Sequence, residues 1–374
     1  MTDPLRFLGA ELARLEALSL LRSPGETAPG PGAINLSSND YLGLASRPLP
    51  LPSTEAVRAG AGASPLVVGS FPEHARAEAA IRSWLETETA TFFTSGYAAN
   101  VGAISSLVGR GDLILSDRLN HASIIDGCRL SGATVEVFGH LDHAEARRLL
   151  AEHGPKFRRR LLVTESCFSM DGDSPDLREL ARACAAHDAV LYVDEAHALG
   201  VFGPEGRGLC AATSVRPDVL VGTLGKAVGL QGAFVAGSGD LQRWLWNRAR
   251  SFVFSTALAP VLAAAVPDRI LQVRRADAER SRLDAVASEL RATLGELGAQ
   301  VPSVSGPIVP WVLGEADRAL AASGRLFEQG IVAKAIRPPT VPPHSSRIRF
   351  AASASIDDTQ LAIVLRALRQ TAGR

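Results

Sequence analysis

Lys226 is the residue whose type and surroundings point most directly to chemistry. The chain has 39 basic residues, of which only Lys156, Lys226 and Lys334 are lysines. Lys226 follows an apolar run in the glycine-rich segment VGTLGKAVG, with no acidic residue close to it in sequence. An apolar setting lowers the pKa of an amine from about 10.4 and favours the neutral form that attacks carbonyl groups. The segment therefore predicts a Schiff-base lysine rather than a surface lysine.

Asp194 and His197 form a second candidate pair, at the end of the apolar run in VLYVDEAHALG. A carboxylate at the end of a buried strand is costly unless a cation or a hydrogen-bond donor meets it. A protonated ring nitrogen of a cofactor is such a partner, and His197 could hydrogen-bond a hydroxyl group of the same ring. An N-cap aspartate with a structural histidine is the alternative interpretation.

Polar or glycyl residues follow apolar runs in three further segments. Gly96 and Tyr97 begin a predicted helix in TSGYAAN, where free backbone N–H groups favour a phosphate. His121 begins another predicted helix in DRLNHASIIDG, and its imidazole could stack on a planar ring. Thr223 and the N–H groups of the turn after it could hold a phosphate. The other histidines are interpreted as structural or solvated: His74, His140, His143, His153, His187 and His344.

The elements that must position these residues alternate regularly from about residue 74. Apolar runs separated by amphipathic stretches are TFFTS, DLILSD, TVEVFG, LLVTES, VLYVDE, VLVGT and GAFVAG. This pattern predicts an α/β fold with a mostly parallel central sheet and helices on both faces. Open α/β sheets bind ligands beyond the carboxyl ends of their strands, so we expect the candidate residues to share one edge of the sheet.

The pattern also predicts three parts of the chain. Residues 1–44 are expected to form an N-terminal helix and arm, residues 45–256 a large α/β domain, and residues 257–374 a small α+β domain. Stretches rich in Pro and Gly at 23–32 and 47–53 are expected to be loops.

The composition argues against several classes of function. The 374 residues are 46% hydrophobic and carry a formal net charge of zero, which disfavours nucleic-acid binding. No apolar run is long enough to span a membrane, and the N-terminal segment lacks the pattern of a signal peptide, so the cytoplasm is the expected location. The wide spacing of the four cysteines disfavours a metal site or a disulfide framework and favours small buried thiols.

Taken together, these segments resemble the α-oxoamine synthase family of fold-type-I pyridoxal-phosphate enzymes. The resemblance runs from SSNDYLGL (37–44) to RIRFAAS (347–353), and includes TSGYAAN, DRLNHASIIDG, TESCFSMDGD, VDEAHALGVFGPEGRG and GTLGKAVG in the family's order. It implies a decarboxylating condensation of an amino acid with an acyl thioester, catalysed by a homodimer with shared active sites. The segment AIRPPTVPPHSSRIR (335–349) is most similar to the family member that joins L-alanine to a pimeloyl group carried by coenzyme A or a carrier protein.

The resemblance implies a set of contacts to pyridoxal 5'-phosphate. Lys226 matches the Schiff-base lysine, Asp194 the partner of the ring nitrogen, and His121 the histidine that stacks on the ring and can act as an acid or base. His197 and Ser169 match contacts to the ring hydroxyl group. The residues that match phosphate contacts are Gly96, Tyr97 and Thr223, with Ser255 and Thr256 reaching the phosphate of the neighbouring subunit.

The resemblance also implies contacts to the substrates. Asn39 and Arg349 match the residues that bind the substrate carboxylate, and Arg22 and Thr340 match further substrate contacts. Arg337 is a candidate receptor for the distal carboxylate of a pimeloyl chain, and a structural ion pair is the alternative.

The chain departs from the family in four places. Residues 45–60 are short and Pro-rich, and AHALG (196–200) replaces AHGTG or AHSTG. AGASPLVVGS (61–70) replaces a glycine-rich stretch, and Gly225 stands where the family usually has serine. These changes leave two alternatives open. One is another synthase of the family, which joins glycine or serine to acetyl, succinyl or long-chain acyl groups. The other is a catalytically idle cofactor-binding scaffold.

Overall fold

The computed structural model describes residues 4–23, 30, 32–51, 57–302 and 306–372. Much of the loop expected at 23–32 and the end of the loop expected at 47–53 lie outside the described residues. The chain divides into two compact units. The smaller unit comprises residues 1–39, 170–172 and 281–374, and the larger unit comprises residues 40–169 and 173–280.

The described residues form strands and helices in a largely alternating order. The strands are β1 (Ile34–Asn35), β2 (Thr89–Phe93), β3 (Leu113–Asp117), β4 (Thr134–Phe138), β5 (Arg160–Glu165), β6 (Val190–Asp194), β7 (Val219–Thr223), β8 (Ala233–Gly237), β9 (Ile308–Gly314), β10 (Ile331–Val332), β11 (Ala335–Ile336) and β12 (Ser346–Ala351). The helices are α1 (Phe7–Ala17), α2 (Pro72–Leu85), α3 (Gly96–Leu107), α4 (Ala122–Ser131), α5 (His143–His153), α6 (Leu177–Ala186), α7 (Gly208–Thr213), α8 (Gly239–Arg248), α9 (Arg250–Val253), α10 (Pro260–Arg274), α11 (Asp277–Glu296), α12 (Ala316–Glu328) and α13 (Asp358–Ala372).

The larger unit is built on a seven-stranded sheet with the order β2-β8-β7-β6-β5-β3-β4. Strand β8 is antiparallel to both of its neighbours, and the other neighbouring pairs are parallel. Strands β3, β5, β6 and β7 are buried along almost their whole length, as expected for a parallel sheet covered on both faces. The predicted α/β architecture with a mostly parallel sheet is confirmed.

Parallel pairing brings four strand ends to one edge of this sheet. Asp117, Glu165, Asp194 and Thr223 are the last residues of β3, β5, β6 and β7, which are consecutive neighbours. Glu165 and Asp194 are paired directly in the register of β5 and β6. The expectation that the candidate strand ends share one edge is therefore confirmed.

The smaller unit contains two short sheets. Strand β12 pairs antiparallel with β9 and β11, and β1 pairs parallel with β10. This pairing explains why the N-terminal residues 1–39 belong to the smaller unit rather than to a separate arm. Helix α10 belongs to the larger unit because it packs against α2, and the division falls within α11, after Arg280. The unit boundaries thus differ from the expected ones at residues 44 and 256.

The four cysteines are free and buried, and all of them lie in the larger unit. Burial raises the pKa of Cys128 and of Cys184 to about 12. Within the described residues, no helix is long and apolar enough to cross a membrane.

Candidate active site

Lys226 lies in the turn between β7 and β8. The turn is closed by Thr223, whose hydroxyl group donates to Gly232 O at 3.1 Å and accepts from the N–H of Gly225 at 3.1 Å. Leu224 and Ala227 are buried on either side, and Lys226 itself is half-buried. The apolar setting read from the sequence is therefore present, although folding also brings the carboxyl group of Glu165 into electrostatic range of the lysine.

Asp194 is a buried carboxylate held by two donors. Asn100 Nδ2 donates to Asp194 Oδ2 at 2.7 Å, and the N–H of Ala196 donates to Asp194 Oδ1 at 2.8 Å. The Asn100 side chain is itself fixed, because it accepts from the hydroxyl group of Tyr192 at 2.8 Å. This arrangement aims the carboxylate and keeps it a hydrogen-bond acceptor in a buried position.

His121 precedes α4 and caps its N-terminus. Its Nδ1 accepts from the N–H of Ser123 at 3.2 Å and lies 2.8 Å from the Ser123 hydroxyl group. Because Nδ1 is an acceptor, the neutral imidazole carries its proton on Nε2. Burial lowers the pKa of His121, and the charge of Lys226 acts in the same direction against that of Asp194. The site thus holds a neutral imidazole.

Glu165 is a buried carboxyl group beside these residues. Its Oε1 accepts from the backbone N–H of His121 at 2.6 Å. Burial and the neighbouring charge of Asp194 raise the pKa of Glu165 to about 8. Glu165 therefore fixes the backbone of His121 and favours its own protonated form near neutral pH.

His197 and Ser169 lie in loops that follow β6 and β5. The hydroxyl group of Tyr41 is 2.6 Å from His197 Nδ1, and both residues are buried. Ser169 is also buried. Tyr41 thus fixes the orientation of the imidazole that the sequence assigned to a ring hydroxyl group.

The predicted phosphate residues lie in three different places. Gly96 begins α3, whose N-cap Ser95 accepts from the N–H of Ala98 at 3.1 Å. Tyr97 is 48% exposed and donates its hydroxyl group to the carboxylate of Asp126. Ser255 and Thr256 lie in the loop between α9 and α10, where Ser255 is half-buried and Thr256 is exposed.

The smaller unit contains the predicted substrate residues, in two clusters. Arg349, buried in β12, donates through Nη1 to Asn39 Oδ1 at 3.0 Å. In the second cluster Arg22 Nη2 donates to the carbonyl groups of Arg337 and Pro338, at 3.2 and 3.1 Å. The N–H of Thr340 also donates to Arg337 O, at 3.1 Å.

Arg337 is buried and bonds the segment that follows α1. Its guanidinium donates to the carbonyl group of Ser19, and to that of Leu21 at 3.3 Å. These partners are backbone carbonyl groups rather than the carboxylate of an ion pair. Burial and the charge of Arg22 lower the pKa of Arg337. The geometry thus supports a structural role for Arg337, in which it anchors the segment that carries Arg22.

Three contributors to the site were not singled out from the sequence: Asn100, Ser123 and Tyr41. Asn100 lies four residues after Gly96, on the next turn of α3, and that spacing within TSGYAAN is a signal in the sequence. Glu165, like Asp194, is the last residue of an apolar run, so the sequence places it among the strand ends without indicating a role for it. The contact of Tyr41 with His197 joins residues 156 positions apart, and no local pattern reports it.

A mostly parallel sheet that gathers a lysine, an aspartate and two histidines at its strand ends is the architecture of fold-type-I pyridoxal-phosphate transferases. Residues 31–368 match the family described as aminotransferase class I and II. The chain belongs to this family.

Within the family, the chain is similar to 8-amino-7-oxononanoate synthase from Anaeromyxobacter dehalogenans, with 48% identity over 97% of this chain and 95% of the relative. Its structure is similar to that of a serine palmitoyltransferase variant from S. paucimobilis with a bound PLP–myriocin aldimine, at 28% identity, a TM-score of 0.89 and coverage of 99% and 98% of the two chains. It is also similar to the 8-amino-7-oxononanoate synthase from Francisella tularensis, at 25% identity, a TM-score of 0.76 and coverage of 92% and 98%.

Proposed function

We propose that this chain catalyses the pyridoxal-phosphate-dependent condensation of L-alanine with a pimeloyl thioester. The products are 8-amino-7-oxononanoate, carbon dioxide and the free thiol of coenzyme A or a carrier protein, which is a step of biotin synthesis. The observation that carries the proposal is 48% identity to a synthase of that name over nearly the full length of both chains, together with an intact cluster of Lys226, Asp194, His121 and His197.

The larger unit fits pyridoxal 5'-phosphate. Asp194 is buried and oriented by Asn100, so it can accept from a cationic ring nitrogen. A Cβ built on Gly96 meets no atom within 4 Å, which leaves room for a phosphate beside the N-terminus of α3. Lys226 is half-buried in an apolar turn. When bound, the cofactor supplies an electron sink for the negative charge that develops at the substrate Cα.

The residues divide the remaining work. Lys226 would hold the cofactor covalently through Nζ, and its free amine would take the Cα proton of the amino acid. Asp194 would pair with the ring nitrogen, His121 would stack on the ring, and His197 and Ser169 would contact its hydroxyl group. Phosphate contacts come from Gly96, Tyr97 and Thr223, and from Ser255 and Thr256 of the neighbouring subunit.

Substrate contacts come from the smaller unit in this proposal. Arg349 and Asn39 bind the α-carboxylate of the amino acid, and Arg22 and Thr340 contact the substrate further out. Because the assignment of Ser255 and Thr256 places them at the neighbouring phosphate, the active form is a homodimer with shared sites. Its location in the cytoplasm stays a prediction.

Mass spectrometry of the product tests the reaction. The purified enzyme with L-alanine and pimeloyl thioester should give 8-amino-7-oxononanoate and one equivalent of free thiol. Lys226→Ala should abolish turnover, and Asp194→Asn should keep the cofactor but lose at least about 100-fold in kcat, because an amide cannot keep the ring nitrogen protonated. Asp188→Asn, at an exposed position, is the matched control.

A second candidate is an acyl transfer of the serine palmitoyltransferase type. It is favoured by one observation, the higher TM-score of 0.89 with the S. paucimobilis structure than of 0.76 with the Francisella tularensis synthase. Competition assays with L-serine, glycine and L-alanine, each with palmitoyl and pimeloyl thioesters, decide between the two. If glycine or an uncharged donor is preferred, the specific substrates proposed above are wrong and only the type of reaction stands.

A further inference from the structure

His140 bridges two carboxylates near the cluster at the strand ends. Its Nδ1 is 2.9 Å from Asp117 Oδ1, and its Nε2 is 3.0 Å from Asp173 Oδ2. The ring also meets the ring of Phe168 edge-on, with 4.5 Å between centroids. Both ring nitrogens and one ring edge are therefore committed to contacts within the larger unit.

The three partners of His140 belong to the segments that carry two proposed cofactor contacts. Asp117 ends β3 and begins the segment leading to His121, and its carboxylate also accepts from the N–H of Leu119 at 2.8 Å. Phe168 directly precedes Ser169, and its N–H donates to Asp173 O at 2.9 Å. A single imidazole thus joins the segment before His121 to the segment around Ser169.

We propose that His140 is a positioning residue that fixes the segments of His121 and Ser169 relative to each other. This role rests on the proposed function, because it is the cofactor that requires His121 and Ser169 to meet one ring. His140 touches none of the proposed reacting groups. It acts through Asp117 on one side and through Phe168 and Asp173 on the other.

The bridge depends on the charge of the imidazole. A ring that donates to both carboxylates carries two protons and is a cation, which offsets the repulsion between Asp117 and Asp173. The two carboxylates raise the pKa of His140 to about 9 against the opposing effect of burial, which is the largest single contribution. Two further acidic groups lie beside this loop. Asp142 is in the loop itself and accepts from the N–H of Glu145 at 2.8 Å, and Glu145, in α5, accepts from the N–H of Gly139 at 2.6 Å.

The sign of the pH dependence follows from the raised pKa. The stabilisation of the folded protein by the charged His140 is fully present below the ordinary pKa of histidine, near 6.5, and is lost as the pH rises through about 9. Above that pH the ring can donate to only one carboxylate, and the two segments lose their shared contact.

Hydrogen–deuterium exchange on the cofactor-free protein tests the positioning role directly. His140→Gln leaves a single donor nitrogen, which cannot reach both carboxylates as the two ring nitrogens do, so we expect at least tenfold faster exchange in residues 117–121 and 166–169. The matched control is His153→Gln, which removes a histidine lying 2.6 Å from Glu136 at the opposite end of α5 and should leave both segments unchanged. Unchanged exchange in the His140→Gln protein would overturn the proposal.

Cofactor affinity separates this inference from the proposed function. His140→Gln should weaken pyridoxal 5'-phosphate binding about tenfold and lower kcat, with the KM for L-alanine changed less than threefold. Adding Asp173→Asn should recover part of the affinity, because it removes one of the two repelling charges. If the parent enzyme binds the cofactor but does not make the product, only the substrate assignment is wrong. If the parent and His140→Gln bind the cofactor with equal affinity, only the positioning role is wrong.

A titration of the parent protein covers the case in which the variant does not fold. NMR of protein labelled with 15N-histidine should show His140 titrating near pH 9. In protein labelled with 15N-leucine, the backbone amide signals of Leu119 and Leu141, which both donate to Asp117, should shift with the same midpoint. A His140 that titrates near 6.5, or amide signals that do not follow it, would contradict the bridge.

Discussion

Glu165 is the buried acidic residue whose ionisation we expect to set part of the pH dependence of stability. In the unfolded chain its carboxyl group ionises near the ordinary value of 4.5, whereas burial and Asp194 raise the pKa to about 8 in the folded protein. Between these values the unfolded state binds fewer protons, so stability falls as the pH rises from about 4.5 to about 8.

Glu165→Gln should therefore become more stable relative to the parent as the pH rises from 5 to 8, by about 4 °C in melting temperature. The amide oxygen can still accept from the N–H of His121, so the contact is kept while the charge is removed. Differential scanning calorimetry at several pH values measures the effect. Glu152→Gln, at an exposed site, should show no such trend.

At the scale of the elements, the turn between β7 and β8 has room for the serine that the family usually carries. A Cβ on Gly225 would meet only Thr223 Oγ1 at 3.5 Å and Leu230 O at 3.7 Å, which are ordinary contacts. Gly229 in the same turn has φ +69°, and a Cβ there would lie 2.5 Å from Ala45 N.

Gly225→Ser should therefore be tolerated and should tighten pyridoxal 5'-phosphate binding about fivefold through one added hydroxyl donor. Equilibrium dialysis measures the dissociation constant. Gly229→Ser should instead lower the melting temperature, because its backbone conformation and its close neighbour both oppose a side chain. Weaker cofactor binding by Gly225→Ser would contradict the assignment of a phosphate contact to this turn.

Hydrogen bonds join the segment that follows α1 to the segment around Arg337. Arg337→Met removes the donors to the Ser19 and Leu21 carbonyl groups, so the segment that carries Arg22 loses its anchor. We expect the KM for pimeloyl thioester and for an uncharged thioester of equal length to rise by similar factors, about tenfold. Steady-state kinetics with both donors measures this, and a selective loss for pimeloyl would make Arg337 the receptor for the distal carboxylate.

The sequence predicted the elements of the larger unit better than their contacts. Apolar runs identify strands because a parallel sheet is buried on both faces, so the ends at Asp194 and Thr223 could be located directly. The position of β8 between β2 and β7 is a tertiary property that no local pattern encodes. Contacts such as Asn100 with Asp194 also required the fold, because they join residues that are far apart in the chain.

At the scale of the whole molecule, the segment that replaces the family's glycine-rich stretch exposes apolar side chains. Pro65–Gly69 forms one π-helical turn that packs near α9, and Val67 and Val68 are exposed there, as is Phe254 just after α9. Exposed apolar side chains grouped in this way are typical of surfaces that bind another protein. We expect this surface to contribute to the proposed homodimer.

Val67→Asp should then raise the dissociation constant of the dimer at least about tenfold, since it places a charge in an apolar contact. Sedimentation velocity over a range of concentrations measures it, and activity per subunit should fall on dilution in parallel. Leu130→Asp, at another exposed apolar position of the larger unit, is the control. If the Val67→Asp dimer has the same dissociation constant as the parent dimer, this surface is not part of the interface.

The four buried thiols allow the unfolding of the larger unit to be followed by chemical labelling. A thiol reagent reacts only with an accessible thiolate. All four cysteines are buried, so the reagent cannot reach them in the folded protein. The raised pKa of Cys128 and of Cys184 also keeps these two groups in the unreactive thiol form. Labelling should therefore require the larger unit to open, and the labelling rate should report the rate of that opening. If the unit opens as a whole, intact-mass spectra should show molecules with no label or with four. Masses with one, two or three labels would show that part of the larger unit opens before the rest.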